Sequence, residues 1–447
     1  MSGKFPTANP TASFWLSEPH ELHAYRSSDT TPDGCDIAII GTGMAGVASA
    51  YHILTKCAAE HQRPSIVLFE ARQACSGATG RNGGHNKNLL TFIKTIYDKH
   101  GPAVGEEFVE LMGAQRRAIK ATVETEDIEC ELLVRRSFDA YFDPVQAETM
   151  KRWLYGLRHN GVLWTQDMQW LEGPNLERIT GVKNLAAAAC GPAISLWPYK
   201  FVTSLLARVV GMGALLYTET PVEVVKTNGD ESVTIITPRG KTNAKKVVYA
   251  ANGYTSSLLP QYQGVIVPNK GQNSILKPSA KSHHGLNLAH TYNLVYSPTA
   301  VDYLVPRPDG NLILGGALNK YCINAQDMNT KWFDTVDDTT LIDESVKSYF
   351  DHTMAKHFRG WEDSEANVAM TWTGIMAATP DSLPHAGLVP GTKNQWIIAG
   401  FNGAGMTMIF TTTAGLADMV QNDKTLEETS ILTAFKTTEE RLTVRFP

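Results

Sequence analysis

The chain has 447 residues, enough for two domains with large cores, and its composition is that of an ordinary globular protein, 43% hydrophobic and 19% charged. A net charge of −5 without a basic cluster argues against a nucleic-acid partner, and no apolar run reaches membrane-spanning length, so no membrane partner is expected. Six cysteines without CxxC spacing read as free thiols of a reducing compartment, and residues 1–10 are polar with no signal-peptide pattern, so a cytoplasmic location is expected.

The polar leader to Gly34 carries Trp15 and Tyr25, which are expected to anchor it on the body. An apolar run at 36–40 reads as a buried parallel strand and meets Gly41, Thr42, Gly43, Met44, Ala45 and Gly46, a complete GxGxxG. Helical spacing follows, with Val47, Tyr51 and Leu54 on one face, and then a second apolar strand at 65–69 that ends at Glu70, Ala71 and Arg72. Each part has a physical task. Gly41 makes the tight turn, Gly43 lets backbone approach a pyrophosphate, and Gly46 lets helix and strand pack closely. The helix N-terminus faces the phosphate charge, and Glu70 can accept hydrogen bonds from ribose hydroxyls. Strand, turn, helix, strand and acid in this order predict dinucleotide binding.

A second small-residue turn follows at once: Ser76, Gly77, Ala78, Thr79, Gly80, Arg81, Asn82, Gly83, Gly84 and His85. A nicotinamide dinucleotide rarely needs another such loop there, whereas FAD has a ribityl chain and an isoalloxazine ring to thread past the same strand ends. Small residues let that chain lie against backbone N–H groups, and Arg81 and Asn82 can serve the pyrophosphate. Residues 89–161 read as mostly helical, with Phe108, Leu111, Met112 and Ile119 at helical spacing. The period then changes to strands at 220–225, 232–236 and 246–249, followed by the small-residue turn Ala250, Ala251, Asn252 and Gly253. Lys270 begins another β region, in which strands at 302–306 and 311–315 are joined by a hairpin turn at 307–310. Helices are expected over 338–359. A buried strand at 396–400 feeds Phe401, Asn402, Gly403, Ala404, Gly405 and Met406, and a helical run continues to 419.

In the first turn, the 77–85 segment, the 250–253 turn and the stretches 371–381 and 396–406, the sequence resembles the flavoprotein superfamily of D-amino-acid, glycine and sarcosine oxidases. The leader Ser13-Phe14-Trp15-Leu16 and the run Arg81-Asn82-Gly83-Gly84 bring it nearest the gamma-glutamylputrescine-oxidase-like branch. The resemblance implies an α/β fold: a glutathione-reductase-like FAD-binding Rossmann domain plus a substrate domain with a large, mostly antiparallel sheet and helices. It assigns 1–88, 190–262 and 365–447 to a discontinuous FAD-binding domain and 89–189 and 263–364 to the substrate domain. It implies that Val222 presents its backbone to the adenine, that Ala251 and Asn252 close over the cofactor, that Gly374 lies beside the flavin ring, and that Gly403, Ala404, Gly405 and Met406 lead into a helix whose N-terminus faces the pyrimidine. The relatives that bind flavin covalently use a cysteine near the position of Thr371 or Trp372. None lies there, so FAD is expected to be noncovalent.

The implied activity is oxidation of an amine to an imine by hydride transfer to flavin N5, with O2 or another electron acceptor completing the cycle. Such chemistry needs a neutral amine and a fixed C–H vector, and a dry aromatic cage can lower an amine's pKa without a dedicated base. Trp372, Tyr303, Phe401, Tyr254 and Trp197 are cage candidates, each with a plain core aromatic as the competing reading. His85, at the end of the second turn, can bond substrate, tune the flavin or be a structural histidine. Lys270 reads as a solvated surface lysine. His283, His284, His352 and His357 lack metal-ligand spacing, so no metal is expected. Amino-acid-oxidising relatives clamp the substrate carboxylate with an arginine where this chain has Met376, and sarcosine-oxidising relatives place a lysine near N5 where it has Ile313. A small-molecule amine without a carboxylate close to the reacting carbon is therefore expected, unless Lys270 or Arg307 replaces the clamp. The alternatives are a flavin-dependent tailoring enzyme or a monooxygenase acting on a secondary metabolite. A monooxygenase would carry a Gly-Asp pair before the last helix, where Asn402-Gly403 stands.

Overall fold

The computed structural model describes residues 5–57, 59–279, 288–321 and 331–446. Cys322, His283 and His284 lie outside the described residues. Two sheets organise the chain.

The first sheet runs His385–Leu388, Gln395–Ala399, Gly240–Tyr249, Gly34–Ile40, Ile66–Phe69 and Leu215–Tyr217, and every pair from Gln395–Ala399 onward is parallel. Val224–Thr227 and Val233–Thr237 form a meander on Gly240–Tyr249. The strands Gly34–Ile40 and Ile66–Phe69 are almost wholly apolar because both faces are covered, one by helices and the other by the meander and the 259–266 segment. In their register Ile40 pairs with Phe69, which places Gly41 and Glu70 side by side at the strand ends. The expected strand at 220–225 begins only at Val224; Val222 is buried in the extended segment before it.

The second sheet runs Asn367–Ala378, Val267–Lys277, Leu312–Gly315, Val301–Pro306, Thr291–Val295, Leu133–Tyr141, Ala187–Ser195 and His85–Lys87. Every named pairing is antiparallel except Thr291–Val295 with Leu133–Tyr141. Its strands alternate. Phe138, Ala140, Tyr292, Leu294, Leu304, Leu312 and Leu314 form an apolar cluster on one face, so Ser137, Asp139, Thr291, Asn293 and Tyr303 point to the other. The expected hairpin at 302–315 is present as Val301–Pro306 paired with Leu312–Gly315.

Three expectations change. The expected helical stretch 89–161 contains the strand Leu133–Tyr141 between the helices Leu90–Thr125 and Pro144–His159. Arg135, Ser137 and Asp139 alternate there with Arg136, Phe138 and Ala140, and polar residues on an inward face hide the usual apolar signature of a strand. The expected helices over 338–359 reduce to the turns Glu344–Val346 and Thr353–His357. Side chains capture the backbone instead: Asp337 accepts from Thr339 N, Asp343 accepts from Ser345 N, and Asp338 is held by Arg72. Finally, Ala187–Ser195, Asn367–Ala378 and His85–Lys87 are strands of the second sheet, whereas the expected division put residues 190–262, 365–447 and 1–88 with the first.

Candidate functional site

The first Gly turn has the geometry its sequence requires. Gly41 sits at φ +108°, a conformation that L side chains rarely adopt, and its N–H donates to Phe69 O at 2.8 Å. A Cβ at Gly46 would lie 1.9 Å from Gly41 O, so the helix Met44–Thr55 can pack this closely only with glycine there. Gly43 caps that helix with no side-chain bond, leaving first-turn N–H groups for a ligand. Met44 N donates to Thr79 Oγ1 at 3.0 Å, which joins the two Gly turns. The Glu70 carboxylate accepts from Thr42 N at 3.0 Å and Thr42 Oγ1 at 2.8 Å through one oxygen, and from Arg72 N at 3.0 Å through the other. It is thus held rigid at the strand end, just before Ala71.

The second turn is a 3₁₀ segment, Ala78–Arg81, running into the strand His85–Lys87. Asn82 closes it, accepting from Gly84 N at 2.7 Å and donating to Thr79 O at 2.9 Å. Gly77 faces open space, and the buried Ser76 Oγ and Tyr254 hydroxyl have no hydrogen-bond partner among the described residues. Polar atoms awaiting partners beside an open, small-residue cradle fit a dinucleotide threaded along this edge. Arg81, expected to serve the pyrophosphate, and Arg72, a cofactor-binding candidate, are engaged elsewhere. Arg81 is buried and donates to Ser76 O, Thr11 O and Thr373 O. Arg72 pairs with the fully buried Asp338 at 2.9 Å. Both guanidiniums bind the leader and the second sheet to the first.

The remaining predicted residues converge on these turns. Asn252 Oδ1 accepts from Gly400 N at 3.0 Å, and Ala251 begins the turn Asn252–Ser257. A Cβ at Gly374 would lie 2.9 Å from Arg81 Cβ, and one at Gly253 2.4 Å from Met376 O. Asn86 Nδ2 donates to Met406 O at 3.0 Å, bringing the Gly403, Ala404, Gly405 and Met406 segment beside the strand His85–Lys87. The following helix begins at Ile409 after a 3₁₀ turn over Gly405–Thr407.

The segment from Arg81 to Gly84 runs against the polar face of the second sheet and continues as its edge strand His85–Lys87. Asn273 Nδ2 and Trp372 Nε1 both donate to Arg81 O, at 2.6 and 2.9 Å. Gly83 lies so close to Tyr303 that a Cβ would come within 2.5 Å of its ring. His85 packs on the same ring at 5.0 Å between centroids, and the Tyr303 hydroxyl donates to Asn273 Oδ1. His85 and Tyr303 are thus in contact, and Trp372 is linked to them only through Arg81 O and Asn273. Phe401 is buried beside Gly405 and enters no ring pair with them among the described residues. Trp197 is a core residue: its Nε1 donates to Trp15 O at 2.8 Å and its ring lies under Arg307. Arg307 also covers Phe14 and Trp15 and pairs with Glu131 at 3.0 Å, so it is not a free clamp. Lys270 is buried rather than solvated, with Nζ 3.3 Å from Thr340 O, and burial lowers its pKa.

The same face carries groups that the sequence did not single out. Asp139, Asn293, Tyr303, Gly315, Asn273 and Trp372 are successive cross-strand partners, one row across the sheet. Asp139 is buried, accepting from Leu90 N at 2.8 Å and from Asn293 Nδ2, and burial raises its pKa. Lys87 is 9% exposed, its Nζ 5.4 Å from the Tyr303 centroid; burial lowers its pKa, and Asp139 opposes that shift. His85 is held well below its usual value by burial first, then by Lys87 and Arg135, so the imidazole is neutral. A period-two reading of His85-Asn86-Lys87 and of Arg135 to Asp139 would have found these residues.

Comparison with known proteins gives the family and the fold. The family model for FAD dependent oxidoreductases (DAO) matches residues 36–419. Glycine oxidase of Pseudomonas aeruginosa is 25% identical over 207 residues, 46% of this chain and 50% of that protein. Human mitochondrial dimethylglycine dehydrogenase is 23% identical over 399 residues, 83% of this chain and 40% of that protein. The chain thus spans half or less of the length of these curated relatives. Among solved structures, glycine oxidase from Geobacillus kaustophilus superposes with a TM-score of 0.71 at 20% identity, over 91% of this chain and 99% of that one.

Proposed function

The chain belongs to the FAD dependent oxidoreductase family, and from that premise we propose that it oxidises a C–N bond of a small amine to an imine. Bound FAD supplies the two-electron acceptor for this reaction. The chain's own residues do the rest. The uncapped helix at Gly43 and the second turn hold the phosphates, Glu70 the ribose, and the backbone at Val222 the adenine. The ring would lie along a slot edged by the second turn, Gly374 and the 401–406 turn.

The observation that carries the reading is the polar face of the second sheet, where His85 packs on Tyr303, and Asn273, which accepts from the Tyr303 hydroxyl, donates with Trp372 to Arg81 O. Buried aromatic walls exclude water and favour the neutral form of an amine, so the nitrogen lone pair is free to form the C=N bond as the C–H bond breaks. Neutral His85 orients the nitrogen through a hydrogen bond. Met376 packs on Gly271 and Gly403, and an apolar side chain there gives no clamp for a carboxylate on the reacting carbon. Simple α-amino acids are accordingly poor substrates, and polyamine derivatives or other amine metabolites are better ones.

An anaerobic reduction screen tests this. Amines should bleach the yellow holoenzyme, and reoxidation by O2 or by a dye identifies the electron acceptor. Bleaching by NADPH alone would make the protein a monooxygenase, and bleaching by neither would leave flavin binding without this turnover. FAD should be held noncovalently, so acid precipitation should leave all of the colour in the supernatant; flavin in the pellet overturns that assignment.

A further inference from the structure

Lys87 is the least explained group in the molecule. It is 9% exposed, yet among the described residues its Nζ has neither a hydrogen-bond acceptor nor a carboxylate within ion-pair distance. Its Nζ lies 5.4 Å from the centroid of the Tyr303 ring, and a lysine has only donors to offer to a ligand. Arg135 stands in the same register line: Lys87 pairs with Ala193 across one strand, and Ala193 pairs with Arg135 across the next. Partners opposed in a ladder share a face, so the two cations flank the small Ala193 on the polar side. Arg135 donates from Nη1 to Pro306 O at 3.0 Å, while its Nε is buried and unpartnered. Both charges act on His85. The complementary group is also present: Asn293 Oδ1, an acceptor, is buried without a donor beside Asp139.

We propose that Lys87 and Arg135 form a carboxylate subsite, and that the substrate is an amine carrying its carboxylate away from the carbon that is oxidised. This rests on the amine-oxidation reading above. The direction follows from the strand. Lys87 lies two residues beyond His85, about 7 Å further from the ring slot at Gly83 and Gly84. A carboxylate reaching it is separated from the reacting carbon by several bonds, which agrees with the missing clamp at Met376. Donor-only groups select an acceptor-rich anion over a second ammonium. Asp139 is already bound by Leu90 N and Asn293 Nδ2, so it does not occupy the lysine.

The test uses holoenzyme and matched pairs: 4-aminobutyrate against butylamine and 6-aminohexanoate against hexylamine, with glycine and sarcosine carrying the carboxylate on the reacting carbon. Binding of the inert carboxylates butyrate and benzoate, read as a flavin difference spectrum, gives a readout that needs no turnover. The ω-carboxylates should reduce the flavin at lower concentrations than their neutral partners. Lys87→Met and Arg135→Met should each weaken binding of butyrate and benzoate by about ten- to a hundredfold, a larger loss than any change in flavin reduction by the neutral amines, and Lys87→Arg should restore part of the loss. FAD content separates this from misfolding, and Arg135→Met decides the matter if Lys87→Met does not fold. Equal use of both members of each pair, or unchanged carboxylate affinity in the variants, overturns the subsite and leaves amine oxidation standing. Carboxylate binding through Lys87 with no amine able to bleach the flavin leaves the subsite standing and overturns the reaction.

Discussion

At the scale of single residues, the roles divide according to what each side chain already touches. Glu70 is fixed by Thr42 and by Arg72 N before any ligand arrives, which presets its lone pairs for a ribose. Glu70→Ala should weaken FAD binding by about 1–3 kcal/mol, read by titrating apoprotein with FAD. His85 differs because its Nδ1 is buried without a partner among the described residues. His85→Ala should slow substrate-driven flavin reduction more than it lowers FAD retention. Equal reduction kinetics in that variant would make His85 a structural residue. Both expectations follow from local chemistry, but only the packing of His85 on Tyr303 separates its role from that of an ordinary buried histidine.

At the scale of elements, the leader and the 331–342 segment act as straps between the two sheets. Thr11 N donates to Asp338 O at 2.7 Å, Thr7 Oγ1 donates to Asp338 Oδ1 at 2.7 Å, and Arg72 pairs with the same carboxylate. Arg72→Met leaves a buried carboxylate without its cation and should cost about 3–5 kcal/mol in urea unfolding. Removing an exposed helical pair such as Arg152 with Glu148 should cost well under about 1 kcal/mol. The Asp338 network also explains why 338–359 holds only the short helices Glu344–Val346 and Thr353–His357. Side-chain capture of backbone N–H groups and one deeply buried pair outweigh weak helix propensity, and neither is visible from spacing along the chain.

At the scale of the whole molecule, acid should act partly through histidines buried in neutral form. Burial lowers the pKa of His52 to about 4, and its Nε2 lies 3.0 Å from Phe410 O, linking the helices Met44–Thr55 and Ile409–Asn422. Between the unfolded value and about 4, the unfolded chain holds a proton on His52 that the folded chain does not. Stability is therefore lost as pH falls through that window and is unaffected by this group above it. Asp302, raised by burial to about 6, acts in the opposite direction as pH falls below 6. The contribution of His52 is thus read as a difference: the stability gap between wild type and His52→Gln should shift by about 2 kcal/mol in favour of the variant between pH 7 and pH 5, measured by urea unfolding. A gap independent of pH would show that His52 is not held neutral.

The nucleotide half of the protein was legible from sequence because its signals are local. Gly41 to Gly46, Glu70 and the 76–85 turn need only a strand end, a turn and a helix start, all of which lie within fifty residues of chain. The hairpin at 302–315 was legible for the same reason. The cofactor edge is thus written in consecutive residues, each constrained by backbone geometry that no other residue type satisfies as well. The substrate face is different. Lys87, Arg135, Asp139, Asn293 and Tyr303 come from separate strands, and their polar side chains suppress the apolar alternation that marks a strand. Arg81, Arg72 and Arg307, which look like ligand-binding cations in the sequence, are committed to carbonyls, carboxylates and aromatic rings brought from far along the chain. Whether a cation is free or occupied depends on cross-strand register and on which segments pack over it, and only the tertiary structure decides that.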